Sequence, residues 1–279
     1  MDPRLIADEI ARAFATRRVI DPPSSRDAAF DLNAAYAVER ELTRMRQAAG
    51  HRTVGRKVGY ANKAVWRVMK LETLVWASMY DDTVRYAANG AASPPTSFST
   101  SFSTAAMIAP KIEPEIVFKL KSPIAGDASD AAAVLAAVEW IALGFEIIDC
   151  PYPGWKFQPV DFVAAYGLHA ALLVSEPRPV IDADIAALAE QLPKFTVKLS
   201  RDGVLVEEGS GRNSLRSPAL CLGELASAIA KRGDQAPLAA GELISSGTLT
   251  ESQLMHAGET WSAQVDGIDL APLTVTVQA

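Results

Sequence analysis

The sequence predicts an α+β fold in which a helical N-terminal region joins a mostly antiparallel β body. Apolar residues recur at helical spacing in two segments before residue 50, which indicates amphipathic helices. From residue 108 onward, short strand-like runs alternate with turn residues. The chain has 279 residues, of which 49% are hydrophobic, so it can bury a large core. We expect a single domain over 1–279, mainly helical at 1–75 and β-rich at 76–279.

The N-terminal region is predicted to contain three helices and one strand. The helices are expected at 3–18, at about 31–48, and from an Asn62 cap to about Leu71. Prolines and serines at 21–25 separate the first two helices. The segment 53–60 is predicted as a short strand bounded by glycines, with Lys57 inside it.

The β body is predicted from short apolar runs between turn residues. Its strands are expected at 112–120, 144–149, 168–174, 195–199, 204–208, 243–245, 260–265 and 273–277, with helices at about 128–143 and 219–232. Asp202-Gly203 is typical of a hairpin turn. The segment 87–104 is rich in Ala, Ser, Pro, Thr and Gly, and we predict a surface loop there, with a mobile flap near a site as the alternative.

Charge and composition exclude several classes of partner. The net charge is −6 and no dense basic patch occurs, so we expect no nucleic-acid partner. No apolar run reaches about 18 residues, so we expect no membrane span. The N-terminus lacks the pattern of a signal peptide, and the two cysteines, Cys150 and Cys221, have no metal-ligand or disulfide spacing. These observations predict a cytoplasmic protein.

Three carboxylates stand out as candidate metal ligands. Glu113 and Glu115 are two residues apart in a predicted strand, so both side chains point to the same face. A solvated acidic strand face would explain that pair alone. Glu146, however, lies between Phe145 and Ile147 in a very apolar strand, where an unpaired carboxylate is expensive to bury. Three such carboxylates are consistent with an open site for Mg²⁺ or Mn²⁺.

Other polar residues point less clearly to a functional site. Lys57, between valines and glycines, could be an edge-strand lysine, or a buried one that moves a proton or holds a substrate carboxylate. The three histidines are isolated, and packing or a surface position explains each of them better than catalysis does. Ser246, Gly247 and Thr248 close a predicted strand and could seat an anion, or form an ordinary turn.

Taken in order, several motifs resemble the fumarylacetoacetate hydrolase superfamily. They are Gly-Arg-Lys-Val-Gly at 55–59, Glu-Pro-Glu-Ile-Val-Phe at 113–118, Glu-Ile-Ile-Asp at 146–149, Trp-Lys at 155–156, Asp161 and Ser-Gly-Thr at 246–248. The branch that they resemble most contains 2-oxopent-4-enoate hydratase and 4-oxalocrotonate decarboxylase. The resemblance extends from about residue 30 to the end of the chain.

This resemblance implies a mixed β-roll and a role for each matched motif. Glu113, Glu115 and Glu146 would hold Mg²⁺ or Mn²⁺, while Lys57 and Asp161 would be catalytic. The predicted substrate-binding residues are Trp155, Ser246, Gly247 and Thr248. The substrate would be a small 2-oxo acid or its dienol, of the kind met in aromatic catabolism. It would undergo hydration or decarboxylation through a metal-stabilised enolate. Family resemblance also implies a homo-oligomer.

The chain departs from the family pattern in three places. Tyr-Ala-Asn at 60–62 replaces the usual Leu-Thr-Ser, and Ala-Ala-Tyr-Gly-Leu at 164–168 replaces an Ala-Asp-Asn-x-Ser segment. Residues 76–79 lack an acidic residue before the methionine. These changes remove polar groups, so two alternatives stay open: a C–C bond hydrolase of acylpyruvates, and a binding protein of the same fold that has lost catalysis.

Overall fold

The structure is a computed structural model, and it describes residues 1–89, 98–126 and 128–279. The α-helices in these ranges are α1 Pro3–Thr16, α2 Pro23–Arg26, α3 Leu32–Ala48, α4 Lys63–Met69, α5 Ala131–Ala136, α6 Pro159–Ala164, α7 Ile185–Gln191 and α8 Pro218–Arg232. The first strands are β1 Thr53–Gly59, β2 Val75–Tyr80, β3 Val84–Tyr86, β4 Ala88–Asn89, β5 Phe98–Ser103, β6 Lys111–Leu120, β7 Val138–Ile148 and β8 His169–Val174. The remaining strands are β9 Arg178–Pro179, β10 Thr196–Arg201, β11 Val204–Ser210, β12 Leu243–Ser245, β13 Gln253–Leu254, β14 Thr260–Asp266 and β15 Leu273–Gln278.

The described strands form two mixed sheets. The larger sheet has the order β2-β1-β12-β6-β7-β8-β3, with β13 on β6 and β9 on β7. The smaller sheet has the order β11-β10-β14-β15-β5-β4. Most pairs are antiparallel, while β1–β12, β3–β8 and β5–β15 are parallel. This mixed arrangement of helices and strands confirms the predicted α+β class.

The larger sheet is buried on both faces along its central strands. Ile112, Ile116 and Phe118 of β6 point into the main apolar core, which the helices also line. The intervening positions of β6 carry the two glutamates and then Val117, which packs in a smaller apolar cluster with Met79 and neighbours. Alternation along the strand therefore separates the main core from the face that holds the carboxylates.

The N-terminal helices begin where the sequence predicts them. Asp2, Asp31 and Asn62 each precede a helix, and each side chain accepts a hydrogen bond from a backbone N–H of the first turn. Helix α1 packs on α3, and α3 packs on α6 behind the larger sheet. The helical prediction for this region is confirmed, while the division at residue 75 stays a prediction.

Two predicted elements are wrong in the structure. The helix expected at 128–143 covers only Ala131–Ala136, because strand β7 begins at Val138 and pairs with β6 along its whole length. Within the expected loop at 87–104, Phe98–Ser103 forms strand β5, which gains a complete parallel ladder with β15 and buries Phe102. The expectation for 90–97 lies outside the described residues.

Candidate active site

The three glutamates meet at one end of strands β6 and β7. The antiparallel register places Glu113 directly opposite Glu146, and Glu115 follows two residues later on the same face as Glu113. One carboxylate oxygen of each residue lies within 4.8 Å of the corresponding oxygens of the other two. Glu115 and Glu146 are fully buried, while Glu113 is half-buried and lines a cavity.

Lys57 reaches the same place from strand β1. The three-residue strand β12 lies between β1 and β6, and it pairs Ser245 with Lys57 on one side. The Lys57 ammonium lies 3.0 Å from Oε2 of Glu146 and donates a hydrogen bond to the Gly167 carbonyl at 2.9 Å. It also lies 4.7 Å from the centre of the Phe162 ring, a cation–π distance. The side chain is 2% exposed, so these contacts replace water as its solvation.

Polar neighbours fix two of the carboxylates. Oε2 of Glu115 accepts hydrogen bonds from the Ser245 hydroxyl at 2.5 Å and the Gly247 N–H at 2.8 Å. Oε1 of Glu146 accepts one from Nδ1 of His169 at 2.8 Å. Among the described residues, the buried Oε1 of Glu115 has no hydrogen-bond partner, and the buried Oε2 of Glu146 is paired with the Lys57 ammonium alone. Buried carboxylate oxygens with lone pairs left over in this way fit a hard divalent cation.

The pKa values of the three glutamates are shifted in different directions. Burial raises the pKa of Glu113 to about 7, with Lys57 opposing the shift and Glu146 adding to it. Burial, together with Glu146 and Glu113, raises the pKa of Glu115 well above its usual range. Burial acts in the same direction on Glu146, but Lys57 and His169 outweigh it and lower its pKa. Glu113 and Glu115 therefore tend to hold protons beside an ionised Glu146, and a bound cation would displace those protons.

For Lys57, the balance favours the charged form. Burial alone would lower its pKa, but the negative charges of Glu146, Glu113 and Glu115 outweigh burial and raise it. Lys57 is consequently an ammonium group with donor hydrogens that face carboxylates and the cavity.

A cavity of about 670 Å³ opens over Lys57 and Glu113. Its walls combine apolar side chains with a few polar ones, as small-molecule sites usually do. The apolar part includes Ile148, Phe157, Phe162, Leu168 and Leu249, and the polar part includes Asn62, Lys111, Asn213 and Glu251.

The predicted substrate-binding residues divide into two groups. Trp155, Gly247 and Thr248 line the cavity. The indole N–H of Trp155 is buried without a hydrogen-bond partner in the described ranges, so a donor is available there. Ser246 is fully buried and its hydroxyl donates to the Ile116 carbonyl at 2.8 Å, so its side chain holds the strand instead of facing the cavity. The Gly247 N–H is likewise already engaged by Glu115.

The structure does not bring Asp161 to the cavity. One carboxylate oxygen accepts the Ser24 N–H at 2.8 Å, and the other accepts the Ser24 hydroxyl and the Gln158 N–H at 2.5 and 2.8 Å. These contacts anchor the start of α6 to α2 and satisfy a fully buried carboxylate. Its predicted catalytic role finds no support in this geometry.

Sequence reasoning missed two polar residues of the site. Ser245 precedes the Ser-Gly-Thr motif and contacts Glu115, and His169 contacts Glu146. His169 is buried, as a packing position requires, and its ring has a partner in Glu146 that the sequence does not reveal. The apolar run Ala-Ala-Leu-Leu-Val at 170–174, directly after it, indicates a buried histidine, whose ring nitrogens need partners.

The altered segment 164–168 has a defined role in the site. Gly167 has φ of +60°, and a Cβ there would lie 2.8 Å from Cδ of Lys57 and from Cβ of Ala77. Glycine therefore allows the backbone to approach Lys57 closely and to present the carbonyl that binds it.

Comparisons along the chain find hydratases and a decarboxylase. The chain is 28% identical over 265 residues to a 2-hydroxyhexa-2,4-dienoate hydratase of Comamonas testosteroni, covering 95% of this chain and 94% of that protein. It is 29% identical over 235 residues to a 4-oxalocrotonate decarboxylase of Pseudomonas sp. (strain CF600), covering 84% and 81%. No family model matches the chain.

Solved structures share the fold. A 4-oxalocrotonate decarboxylase from Pseudomonas putida G7, complexed with magnesium and adipate, superposes with a TM-score of 0.85 at 24% identity, covering 99% of this chain and 97% of that one. A fumarylpyruvate hydrolase from Pseudomonas aeruginosa, in complex with Mn²⁺ and pyruvate, superposes with a TM-score of 0.55 at 17% identity, covering 80% and 88%. These findings confirm the predicted resemblance to the hydratase and decarboxylase branch of the superfamily. In the described ranges, no helix has the length and hydrophobicity that a bilayer crossing needs.

Proposed function

We propose that this relative of hydratases and decarboxylases of the fumarylacetoacetate hydrolase superfamily is a lyase that uses Mg²⁺ or Mn²⁺. Its substrate would be a small 2-oxo acid or the corresponding dienol, which it would hydrate or decarboxylate. The observation that carries the proposal is the convergence of Glu113, Glu115 and Glu146 beside Lys57, at the wall of a cavity of ligand size that Lys57 and Glu113 line.

The three glutamates would hold the cation. Glu115 and Glu146 each have one oxygen fixed by a hydrogen bond from the protein, the second oxygen of Glu146 faces Lys57, and that of Glu115 has no hydrogen-bond partner among the described residues. Glu113 lines the cavity. Bound there, the cation would supply Lewis-acid stabilisation of negative charge on the substrate's 2-oxygen. The same negative charge develops in both candidate reactions, which explains how one site could support either.

Lys57 is the protein group best placed to act on the substrate. Because its pKa is raised, the Nζ atom carries a proton that it can donate to the reacting carbon chain or share with the substrate carboxylate. In hydration, the terminal carbon of the dienol gains a proton while the 2-hydroxyl loses one, and water then adds across the remaining carbon–carbon double bond. In decarboxylation, CO₂ leaves and its bonding electrons enter the same conjugated system, which is then protonated.

The cavity wall would orient the rest of the substrate. Trp155 offers a buried N–H without a partner, and Lys111 lies 4.3 Å from the centre of the Trp155 ring, so a donor and a positive charge stand together. Apolar walls formed by Phe162 and Leu168 would limit the access of water to the reacting carbons.

The hydrolase alternative receives less support. Hydrolysis of an acylpyruvate needs a base that activates water beside the substrate. The structure contains a His–Glu pair, His169 and Glu146, but His169 does not line the cavity over Lys57. A binding protein without catalysis would not require the strict burial of Lys57 against three glutamates.

A substrate panel tests the proposal. Chelator-treated protein would be assayed with 2-hydroxypenta-2,4-dienoate, 4-oxalocrotonate and an acylpyruvate, with and without Mg²⁺ or Mn²⁺. We expect metal-dependent turnover of one of the first two, with hydrated product or CO₂ identifying the reaction. Turnover of the acylpyruvate alone would establish the hydrolase, and metal binding without any turnover would establish the binding protein.

A pair of glutamate variants connects that turnover to the site. Glu115→Gln keeps the shape of a ligand but removes its charge, and we expect turnover to fall about 100-fold or more. Glu190→Gln changes an exposed glutamate on helix α7, away from the cavity, and should leave turnover nearly unchanged. Equal activity of the two variants would exclude the proposed ligand set.

We also propose that the chain forms a homo-oligomer in the cytoplasm. The family resemblance supports this assembly, and light scattering on the purified protein would measure it.

A further inference from the structure

We infer that His169, supported by Thr83, is a positioning residue that holds Glu146 in the orientation needed for metal binding. This role deepens the proposed function and rests on it, because it assigns a task beside the metal site to a residue that never touches substrate. It also gives strand β8 a part in a site whose ligands lie on β6 and β7.

The contacts form a chain from the backbone to the carboxylate. Nδ1 of His169 lies 2.8 Å from Oε1 of Glu146, and Nε2 lies 2.9 Å from the Thr83 hydroxyl. That hydroxyl also lies 2.9 Å from the Tyr80 carbonyl and accepts the Tyr80 N–H at 3.2 Å. The histidine side chain is 1% exposed, so the ring cannot exchange these partners for water.

The chemistry of the contact fixes which oxygen of Glu146 remains for Lys57 and the cation. An ionised carboxylate only accepts hydrogen bonds, so the ring proton at this contact resides on Nδ1. Oε1 is thereby engaged, and Oε2 faces the Lys57 ammonium at 3.0 Å. Glu146 cannot rotate without breaking a buried hydrogen bond, and it therefore offers one defined oxygen to the cation.

The position of the ring excludes a direct role in chemistry. His169 lines a second cavity of about 560 Å³, together with Phe14, Tyr80, Thr83 and Tyr166. No residue that lines this second cavity also lines the cavity over Lys57. With both ring nitrogens engaged and no face toward the substrate, His169 acts only through Glu146.

Strand register explains how the contact arises. Strands β7 and β8 pair with Glu146 opposite Leu172, and an irregularity between Ile147 and Ile148 then brings Ile148 opposite His169. The ring therefore approaches Glu146 diagonally across the two strands. Every other residue of β8 is apolar, so a residue needed only for packing at this position would not have to be polar.

Three variants at two positions test this role by Mn²⁺ titration of chelator-treated protein, followed by calorimetry and by the electron paramagnetic resonance of bound Mn²⁺. We expect His169→Ala to weaken Mn²⁺ binding about 10-fold or more. His169→Asn keeps an N–H near the Nδ1 position and should recover a large part of that loss. Thr83→Val removes only the hydroxyl and should weaken binding less than His169→Ala does.

Controls separate positioning from a packing role. Circular dichroism and thermal unfolding of the metal-free variants measure folding independently of the metal, and His256→Ala removes an exposed histidine. Wild-type Mn²⁺ affinity in a folded His169→Ala protein would overturn the inference, as would equal losses of affinity in the Ala and Asn variants. If wild-type protein binds no Mn²⁺, the proposed function itself fails, and this role fails with it.

Discussion

The site combines two regions of different character. The charged groups Lys57, Glu113, Glu115 and Glu146 lie on strands β1, β6 and β7, and the sequence motifs that mark them match the superfamily. The supporting region is residues 167–169: the Gly167 carbonyl, within the altered segment 164–168, holds Lys57, and the His169 imidazole, just after that segment, holds Glu146. The departure of segment 164–168 from the family pattern therefore does not imply loss of the site.

The largest expected effect comes from the strand region. Lys57→Met removes the ammonium that faces the cavity and should lower turnover about 100-fold or more, because the site loses its proton donor. Lys111→Met removes the charge of a second lysine that lines the same cavity and should have a smaller effect. Steady-state kinetics of the two variants provide the measurement, and a near-normal rate for Lys57→Met would contradict the role of Lys57.

The supporting region is tested by Gly167→Ala. The new methyl group would lie 2.8 Å from Lys57 and Ala77, at a φ of +60°, so we expect a loss of about 2–3 kcal/mol in the free energy of unfolding. Gly154→Ala has a similar φ of +59° with no atom within 4 Å, and should lose only about 1 kcal/mol. Chemical denaturation compares the two, and equal losses would show that contact with Lys57 is unimportant.

The raised pKa values of Glu113 and Glu115 also predict how pH affects the stability of the metal-free protein. Glu113 has a raised pKa of about 7, against an ordinary value of 4.5, and the pKa of Glu115 is also raised well above its ordinary value. Between pH 4.5 and about pH 7, the folded chain binds more protons than the unfolded chain. The free energy of unfolding of the metal-free protein should therefore fall as pH rises toward about 7. The lowered pKa of Glu146 affects stability only below this pH range, and the raised pKa of Lys57 affects it only above the range.

A bound cation should replace those protons. The increase in Tm produced by saturating Mn²⁺ is therefore expected to grow as pH is raised from about 5 to about 8, because metal binding no longer has to displace protons from Glu113 and Glu115. Thermal unfolding with Mn²⁺ and with chelator, at each pH, measures the difference. A pH-independent increase would show that the glutamates are not the ligands.

The smallest expected effect on activity is that of Asp161→Asn. This carboxylate binds Ser24 and Gln158 outside the cavity, so the substitution should lower the free energy of unfolding by about 1–2 kcal/mol. Turnover by the folded variant should stay within about threefold of wild type. Kinetics at a temperature well below Tm make the test, since a large loss of turnover would restore the predicted catalytic role.

The parts of the molecule that could be predicted share a physical basis. Period-two alternation and apolar runs locate β6, β12 and β14 to within a residue or two, and capping residues locate the N-terminal helices. The sequence does not predict the boundary between α5 and β7, because alanines 131–133 begin a helical pattern that has no clear end before Val138. In the structure, the chain from Val138 onward is a strand because it pairs with β6. Local propensity contains no information about that pairing.

The candidate site likewise has a part that the sequence predicts and a part that it does not. Two glutamates at i and i+2 on one strand can be recognised in the sequence, as can a third in an apolar strand. The contact between His169 and Glu146 depends on the register of two strands, and that between Ser245 and Glu115 spans 130 residues. Neither contact leaves a local signature, so both became visible only in three dimensions.

Strand β12 has a consequence for the order in which the chain assembles. It has three residues, and it lies between β1 and β6 in a sheet where both neighbours precede it in sequence by more than 120 residues. During synthesis, β1 can pair with β2, and β6 with β7 and β8, as two separate pieces. Lys57 reaches Glu146 only after residues 243–245 have inserted between them. Such distant pairing is slow to form, so the nascent chain acquires its reactive centre as one of the last steps of folding.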